Sequence, residues 1–270
     1  MSMGALWKMT FSLNSIQKSS SANRFVEKFR STPTESSDRR KSIYSALIAK
    51  SRYVSSGDFK RIAPSDLEIL FEVYDRQYFR GFMSETFQTI SPASVAFRLS
   101  KRMTSVGGST SLRKKKDPSG SPAAESEITI AIDMLYQQFK SGDGVVIVNG
   151  LECSDRLLAL QSVFEHEIIH LLELTLWERS SCKKDRFQKM ANEVFDHTKF
   201  SHQMITRKER AARDHGIRPG SKVSFEFDGA ECEGFVSRVT KRATILVKSS
   251  EGDLYKDGNR YLKCSSQYLI

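Results

Sequence analysis

The sequence lacks the features that mark membrane-spanning proteins, secreted proteins and ribbon-type zinc proteins. Its 270 residues contain no uninterrupted apolar run of about eighteen or more, so no membrane-spanning helix is expected. The first thirty residues have no continuous apolar core and therefore show no secretory signal. The four cysteines are widely spaced and form no Cys-x-x-Cys pair, which excludes a zinc ribbon. Because no secretory signal is visible, a reducing compartment is expected.

The positive charge of the chain is concentrated near its N-terminus. The net charge is +10, and residues 1–60 hold eleven Lys/Arg, four Asp/Glu and fourteen Ser. Two hypotheses fit this composition: a disordered basic tail that contacts nucleic acid, or a transit peptide for an organelle. The corresponding locations are the nucleus or cytoplasm, with the mitochondrion or plastid as the alternative. A second basic cluster, Arg113-Lys114-Lys115-Lys116, lies in a stretch rich in Ser, Gly, Lys and Pro, 105–127, which is expected to be a flexible insertion.

One pentapeptide, His-Glu-Ile-Ile-His at residues 166–170, points to a metal-dependent enzyme. On an α-helix, side chains four residues apart lie on one face, so His166 and His170 can bind a single ion. Glu167 is next to them and can act as general base towards a water bound to that ion. Because Zn²⁺ accepts imidazole ligands and activates water near neutral pH, the pattern predicts a zinc peptidase.

The sequence around this pattern predicts a helix. Residues 155–177 contain neither Pro nor Gly, their apolar side chains recur near helical spacing, and Ser154 or Asp155 can cap the start. The stretch is apolar on nearly every side, so it is expected to be a buried core helix. Buried polar groups need partners, and a metal ion would provide one for the two histidines. The alternative is that both are hydrogen-bonded core residues.

A catalytic zinc usually has three protein ligands, so one more is needed. Cys182 is the first candidate, because it lies at the start of a second predicted helix, 183–196, whose N-terminus would favour the thiolate. Ser181 is expected to be the N-cap of that helix. His197 is the alternative ligand, but about fifteen helical residues separate it from Cys182, which is roughly 20 Å. His202 is a third candidate.

The sequence predicts a small sheet beside the metal helix. A helix is expected at 64–81 and strands at 94–100 and 127–132, while the apolar run 145–151 is either a strand or the approach to the metal helix. The edge of such a sheet can hold an extended peptide as an added strand.

The last part of the chain has a different pattern. Candidate strands separated by tight turns predict a small SH3-like β-barrel over residues 216–270. These strands are 222–227, 230–239, 242–248 and 260–266. The charged stretch before them, 203–215, is expected to be a connecting helix.

Several short motifs of the middle region occur in a characteristic order. They are Leu70-Phe71-Glu72-Val73-Tyr74-Asp75, Tyr78-Phe79-Arg80-Gly81, Leu99-Ser100-Lys101-Arg102-Met103, Gly107-Gly108, Glu127-Ile128-Thr129-Ile130 and the pentapeptide at 166–170. In this order they resemble the SprT-like metallopeptidase domain, a family that includes the Spartan DNA–protein crosslink proteases. The resemblance covers residues 64–205 and does not extend to residues 1–60.

The resemblance implies that the two histidines of the pentapeptide bind zinc and that Glu167 is the catalytic base. The family's third ligand is usually a His four residues before an aromatic residue. Here the aromatic is Phe187, Lys183 occupies the place of that His, and Cys182 is beside it. A β-barrel would replace the zinc ribbon of the bacterial members.

These observations predict a zinc-dependent endopeptidase. By the resemblance, its substrates would be proteins held on DNA or another nucleic acid, which the basic segments would contact. The alternative hypothesis is a non-catalytic nucleic-acid or protein binding module with a degenerate zinc site. The predicted fold class is α+β: after the tail at 1–60 come a zincin-like metallopeptidase domain at 61–205, a linker helix at 206–215 and the barrel at 216–270.

Overall fold

The structure is a computed structural model that describes most of the chain. The described residues are 15–90, 95–116, 122–140, 143–240 and 242–266. Their contacts divide them into two compact units, with the boundary between Gln203 and Met204. Both units combine helices with β-sheet, so the predicted α+β class is confirmed. No helix in the described ranges is both long and apolar enough to cross a membrane.

Helices make up most of the first unit. In chain order they are α1 (Ser15–Phe29), α2 (Pro33–Lys50), α3 (Pro64–Tyr74), α4 (Phe82–Ile90), α5 (Ile132–Tyr136), α6 (Arg156–Trp177) and α7 (Asp185–Phe195). A π-helical turn, Asp75–Phe79, continues α3 and ends at Arg80 in left-handed backbone conformation. The helix predicted at 64–81 is therefore α3 together with this turn.

The segment expected to be a disordered basic tail is folded where the structure describes it. α2 begins with a capping box, in which Thr32 and Glu35 each accept a hydrogen bond from the other's backbone N–H. Ile43 and Leu47 of α2 are fully buried. The expectation of a tail is therefore wrong for α2, because a few apolar side chains at helical spacing are buried despite the Ser-rich, basic composition. Residues 1–14 lie outside the described residues.

A three-stranded mixed sheet packs against α6. Its strands are β1 (Ala96–Ser100), β2 (Gly108–Lys116) and β3 (Pro122–Ala131). They are ordered β1-β3-β2, with β1 parallel and β2 antiparallel to β3, so β2 is an edge strand of the described sheet. The expectation of a flexible insertion at 105–127 is wrong, because most of this stretch is held in the β2–β3 ladder. Residues 117–121 lie outside the description.

A short hairpin precedes α6. It consists of β4 (Val146–Val148) and β5 (Leu151–Cys153). The two turn residues, Asn149 and Gly150, have φ angles of 53° and 85°, the positive values that two-residue hairpin turns favour. The run 145–151, predicted as either strand or helix approach, is therefore strand and turn.

α6 is the central helix of the first unit. Of the two predicted caps, Ser154 and Asp155, Asp155 is the cap, and it accepts a hydrogen bond from the backbone N–H of Leu158 at 2.9 Å. Most of its apolar side chains are buried, among them Leu157, Leu160, Phe164, Ile168, Ile169 and Leu171. Because the helix is covered on several sides, the polar side chains that it carries are held in fixed surroundings.

The second unit combines a helix with an antiparallel sheet. Its elements are α8 (Arg207–His215), β6 (Lys222–Phe227), β7 (Ala230–Val239), β8 (Ala243–Leu254) and β9 (Arg260–Ser266). The strands pair in sequence order, and the core contains Ala211, Ile217, Val236 and Val239. The predicted strands are thus present, but the described residues form a four-stranded sheet without a ladder between β6 and β9. Turn residues in the sequence predict that consecutive strands pair, whereas closure of the sheet into a barrel depends on pairing between strands that are far apart in the sequence.

Candidate metal centre

α6 places the side chains of the His-Glu-Ile-Ile-His pentapeptide beside one another. The Nε2 atoms of His166 and His170 are 3.2 Å apart. Two Zn–N bonds of about 2.0–2.1 Å in tetrahedral geometry separate their nitrogens by roughly 3.3 Å. The two imidazoles are therefore spaced as two ligands of one ion.

Cys182 supplies a third donor at the same place. The ligand atoms of His166, His170 and Cys182 all lie within 4.8 Å of one another, and each residue is half-buried. In the part of the chain that the structure describes, this is the one group of three such donors that could hold a metal ion. The structure thus brings together the three residues that the sequence singled out.

The turn that carries Cys182 differs from the expectation. α7 begins at Asp185 with Lys184 as its N-cap, so Ser181 is not the cap. Instead, the backbone N–H of Ser181 donates to Glu173 Oε2 at 3.2 Å. The Glu173 carboxylate on α6 therefore holds this turn. The sequence had suggested that the Ser181 side chain would cap the next helix.

His197, the alternative ligand, belongs to a different network. It is fully buried, and its Nε2 lies 2.8 Å from Glu165 Oε2. Arg40 Nε and the Tyr74 hydroxyl donate to Glu165 Oε1 at 2.9 and 2.8 Å. Burial opposes ionisation of Glu165, but Arg40 and His197 outweigh it and hold the pKa of this carboxyl below its usual range. His197 is thus a partner of a buried carboxylate and lies outside the donor group.

Burial favours the neutral form of both candidate imidazole ligands. Burial and the neighbouring His170 lower the pKa of His166 to about 3, and burial also lowers the pKa of His170. The Phe187 ring packs against both, with centroid distances of 4.7 and 4.4 Å. A neutral imidazole offers a lone pair to a metal, so these surroundings suit ligands.

Glu167 is buried beside the donor group and has a neutral hydrogen-bond donor. It is 3% exposed, and the Thr110 hydroxyl donates to its Oε2 at 2.7 Å. Burial raises the pKa of Glu167 to about 7, although the Thr110 hydrogen bond acts in the opposite direction. A carboxyl with a pKa near neutrality can both accept and return a proton at physiological pH.

Gly108 allows β2 to approach Glu167 closely. A Cβ atom at this position would lie 2.7 Å from both Cγ and Oε1 of Glu167. Carbon atoms do not approach so closely without displacement, so any larger residue would shift the carboxylate or the strand. Gly108, the second residue of the Gly-Gly motif noted in the sequence, therefore has a physical reason in this structure.

The donor group and Glu167 line an open cleft of about 620 Å³. Residues 105–110, which include the start of β2, contribute to the lining, as do the end of β4 and residues 200–202. His202 forms an antiparallel bridge with Val148 and lines the cleft, but it is not one of the three grouped donors. A cleft of this size can hold a short extended segment of a ligand.

Several site residues were not found from the sequence. Thr110 lies 57 residues before Glu167, in a stretch whose composition suggested an insertion. Ser180 lies 2.6 Å from Nδ1 of His170, although the sequence indicated only a helix stop there. The Gly pair was the one signal that could have placed β2 at the site, because glycine in a strand often marks a close approach.

Comparisons of this chain with protein-family models, with curated proteins and with solved structures give no match.

Proposed function

We propose that this protein is a zinc-dependent endopeptidase of the SprT-like type. The observation that carries the proposal is the placement of His166, His170 and Cys182 within 4.8 Å of one another, with Glu167 beside them in one open cleft. Three protein donors leave a fourth position for water or substrate, as catalytic zinc sites do. The packing of a mixed sheet on α6 supports a zincin-like fold for the first unit.

The donor set suits zinc. Two neutral imidazoles and a thiolate are common ligands of Zn²⁺, whereas Mg²⁺ and Ca²⁺ prefer oxygen donors. When bound, zinc would polarise a peptide carbonyl and make a coordinated water more acidic. His166, His170 and Cys182 are the residues that would hold it.

Glu167 would be the general base and then the general acid. It takes a proton from the attacking water and returns it to the nitrogen of the leaving amine. Burial, which raises its pKa to about 7, favours both transfers near neutral pH. The hydrogen bond from Thr110 orients the carboxylate before substrate binds, so less reorganisation is needed during the reaction.

An extended polypeptide is the substrate class that fits this cleft. β2 is an edge strand of the described sheet, and the segment leading into it lines the cleft. The free main-chain groups of such an edge can pair with an added strand. The described lining contains no Lys or Arg, so nothing there selects a strongly acidic ligand.

The proposal extends to proteins that are bound to nucleic acid. Residues 1–60 carry an excess of positive charge, and Arg113 and Lys114 are exposed on β2. Exposed basic side chains attract phosphates without sequence preference. The second unit, for which the strand pattern predicts an SH3-like barrel, would add a contact to nucleic acid or to a partner protein.

The experiment that tests this function compares the parent protein with Glu167→Gln and with the control Glu152→Gln, whose carboxylate is exposed on β5. Zinc content and cleavage of an unfolded protein are measured with and without single-stranded DNA. We expect about one zinc per chain in all three proteins, and cleavage reduced roughly 10²–10⁴-fold only in Glu167→Gln.

Three outcomes would contradict parts of the proposal. A zinc-loaded parent that cleaves no protein substrate would indicate the non-catalytic binding module instead. Undiminished cleavage by Glu167→Gln would show that another group is the base. Cleavage that is equal with and without DNA, by a protein that does not bind DNA, would remove the nucleic-acid part and leave a general peptidase.

A further inference from the structure

A chain of hydrogen bonds begins at Nδ1 of His170, the ring nitrogen that does not belong to the candidate metal centre. His170 Nδ1 is 2.6 Å from Ser180 Oγ, and Ser180 Oγ is 2.7 Å from Glu173 Oε2. Arg186 Nε donates to Glu173 Oε1 at 2.6 Å, and its guanidinium lies 4.7 Å from the centroid of the Trp177 ring. Glu173 itself is almost completely buried.

The direction of these hydrogen bonds follows from what each group can donate. The Glu173 carboxylate is paired with Arg186 and can only accept, so the Ser180 hydroxyl donates its single hydrogen to Glu173. Ser180 Oγ must then accept a hydrogen bond from His170, which places a proton on Nδ1. The neutral His170 ring therefore carries a free lone pair on Nε2, the atom that lies 3.2 Å from His166 Nε2.

The same carboxylate also holds the turn that carries the third donor. Glu173 Oε2 accepts from the backbone N–H of Ser181, which immediately precedes Cys182. One buried group thus fixes the ring orientation of His170 and the backbone beside Cys182. His166 has no equivalent support, since its Nδ1 is buried without a hydrogen-bond partner among the described residues.

We infer that Ser180 is a positioning residue which, with Glu173, fixes the metal-binding tautomer of His170 and ties that ligand to the Cys182 turn. This inference rests on the metal site of the proposed function and adds residues that the metal motif does not contain. Outer groups of this kind typically change metal affinity 10–100-fold when they are removed.

The experiment compares the parent protein with Ser180→Ala, Ser180→Thr and the control Ser181→Ala. Ser181 suits the control because its side chain makes no hydrogen bond within the described structure, while its backbone N–H is retained in the variant. Zinc dissociation constants are measured by competition with a chromophoric chelator. Histidine tautomers of the metal-free proteins are measured by nitrogen NMR, which does not require activity.

We expect Ser180→Ala to weaken zinc binding about 10–100-fold, Ser180→Thr to restore most of it, and Ser181→Ala to match the parent. The parent should carry the His170 proton on Nδ1, and Ser180→Ala should lose this preference. Parent-like zinc affinity in Ser180→Ala, or a proton on Nε2 of His170 in the parent, would overturn the inference.

These results separate the inference from the proposed function. Zinc affinity that depends on Ser180, in a protein that cleaves no substrate, would support the positioning role and reject the peptidase. Cleavage of protein substrates with zinc affinity independent of Ser180 would reject the positioning role alone. If the protein binds no zinc, the tautomer of His170 decides the inference and the peptidase proposal fails separately.

Discussion

Glu165 and Glu167 lie two residues apart on α6, and the pKa values of these two buried carboxyls are shifted in opposite directions. Both are almost fully buried, at 0% and 3% exposed. Burial alone would raise the pKa of either carboxyl. Arg40 and His197 nevertheless hold the pKa of Glu165 below its usual range, whereas the pKa of Glu167 rises to about 7.

The difference lies in the partners that each carboxyl meets. Glu165 accepts from a guanidinium and a tyrosine hydroxyl and is paired with His197, while Glu167 accepts from the neutral hydroxyl of Thr110. A carboxylate with charged partners is kept ionised, and the loss of one of those partners would leave an uncompensated buried charge. A carboxyl whose described partner is a neutral hydroxyl can still exchange a proton. One face of α6 therefore carries a buried charge network, and the other face carries the candidate chemistry.

The largest expected effect comes from removing the charge that compensates Glu165. Arg40→Met would leave this carboxylate buried beside His197 without its guanidinium partner. We expect the free energy of unfolding to fall by about 3–5 kcal/mol, as it does when a buried ion pair loses one member. Urea unfolding of the purified variant measures the loss.

Lys41→Met is the matched control, because Lys41 is the next residue on α2 and its pair with Asp38 is exposed. This variant should unfold close to the parent, since exposed ion pairs contribute little. Equal stability of Arg40→Met and Lys41→Met would show that Glu165 is not held as a charged group, and the comparison with Glu167 would lose its basis.

The sequence predicted the cleft face of α6 better than the opposite face, for a physical reason. His166, Glu167 and His170 lie within five consecutive residues of α6, and Cys182 lies in the short connection between α6 and α7. One helix and the connection after it therefore determine the donor group. Glu165 depends on Arg40, which lies 125 residues earlier in a segment whose composition suggested a tail. A long-range ion pair of this kind leaves no local pattern.

The same reasoning applies to the β2–β3 hairpin. Its Ser- and Lys-rich composition favours a loop when it is considered alone, but pairing with β3 satisfies the backbone groups on one side of β2 and places Thr110 against Glu167. Local composition therefore misplaced the strand that supports the candidate base and the helices α1 and α2, whereas α3, α6 and α7, whose apolar side chains recur at helical spacing, were predicted closely.

The next prediction uses zinc affinity to distinguish Cys182, the candidate third ligand, from the alternative His197. Cys182→Ala should weaken zinc binding by more than about 100-fold, because it removes a ligand and not an outer partner. His197→Ala should keep the parent's zinc affinity and lose stability, since it removes a partner of Glu165. Zinc titration beside urea unfolding gives both quantities for each variant. Zinc loss in His197→Ala with affinity retained in Cys182→Ala would reverse the assignment.

A smaller effect is expected from moving Glu167 without changing its chemistry. Gly108→Ala places a methyl group where the Glu167 side chain lies, so cleavage should fall up to roughly 100-fold through misplacement of the base. Zinc content should stay at the parent's value. Gly144→Ala is the control, because a Cβ there meets nothing within 4 Å. Equal cleavage by both variants would mean that β2 does not constrain Glu167.

The smallest effect is expected from removing the Thr110 hydroxyl, which donates the one side-chain hydrogen bond to the Glu167 carboxyl that the described residues provide. Thr110→Val preserves the shape of the side chain but removes the hydroxyl, which is worth about 1 kcal/mol, so cleavage should fall up to about tenfold. Thr110→Ser keeps the hydroxyl and should retain most of the rate. The steady-state rate on one peptide, at a fixed zinc content, measures the difference. If Thr110→Val cleaves as the parent does, orientation of Glu167 comes from the packing of β2 alone. The contrast with Glu165 would then rest on charged partners without any contribution from the neutral one.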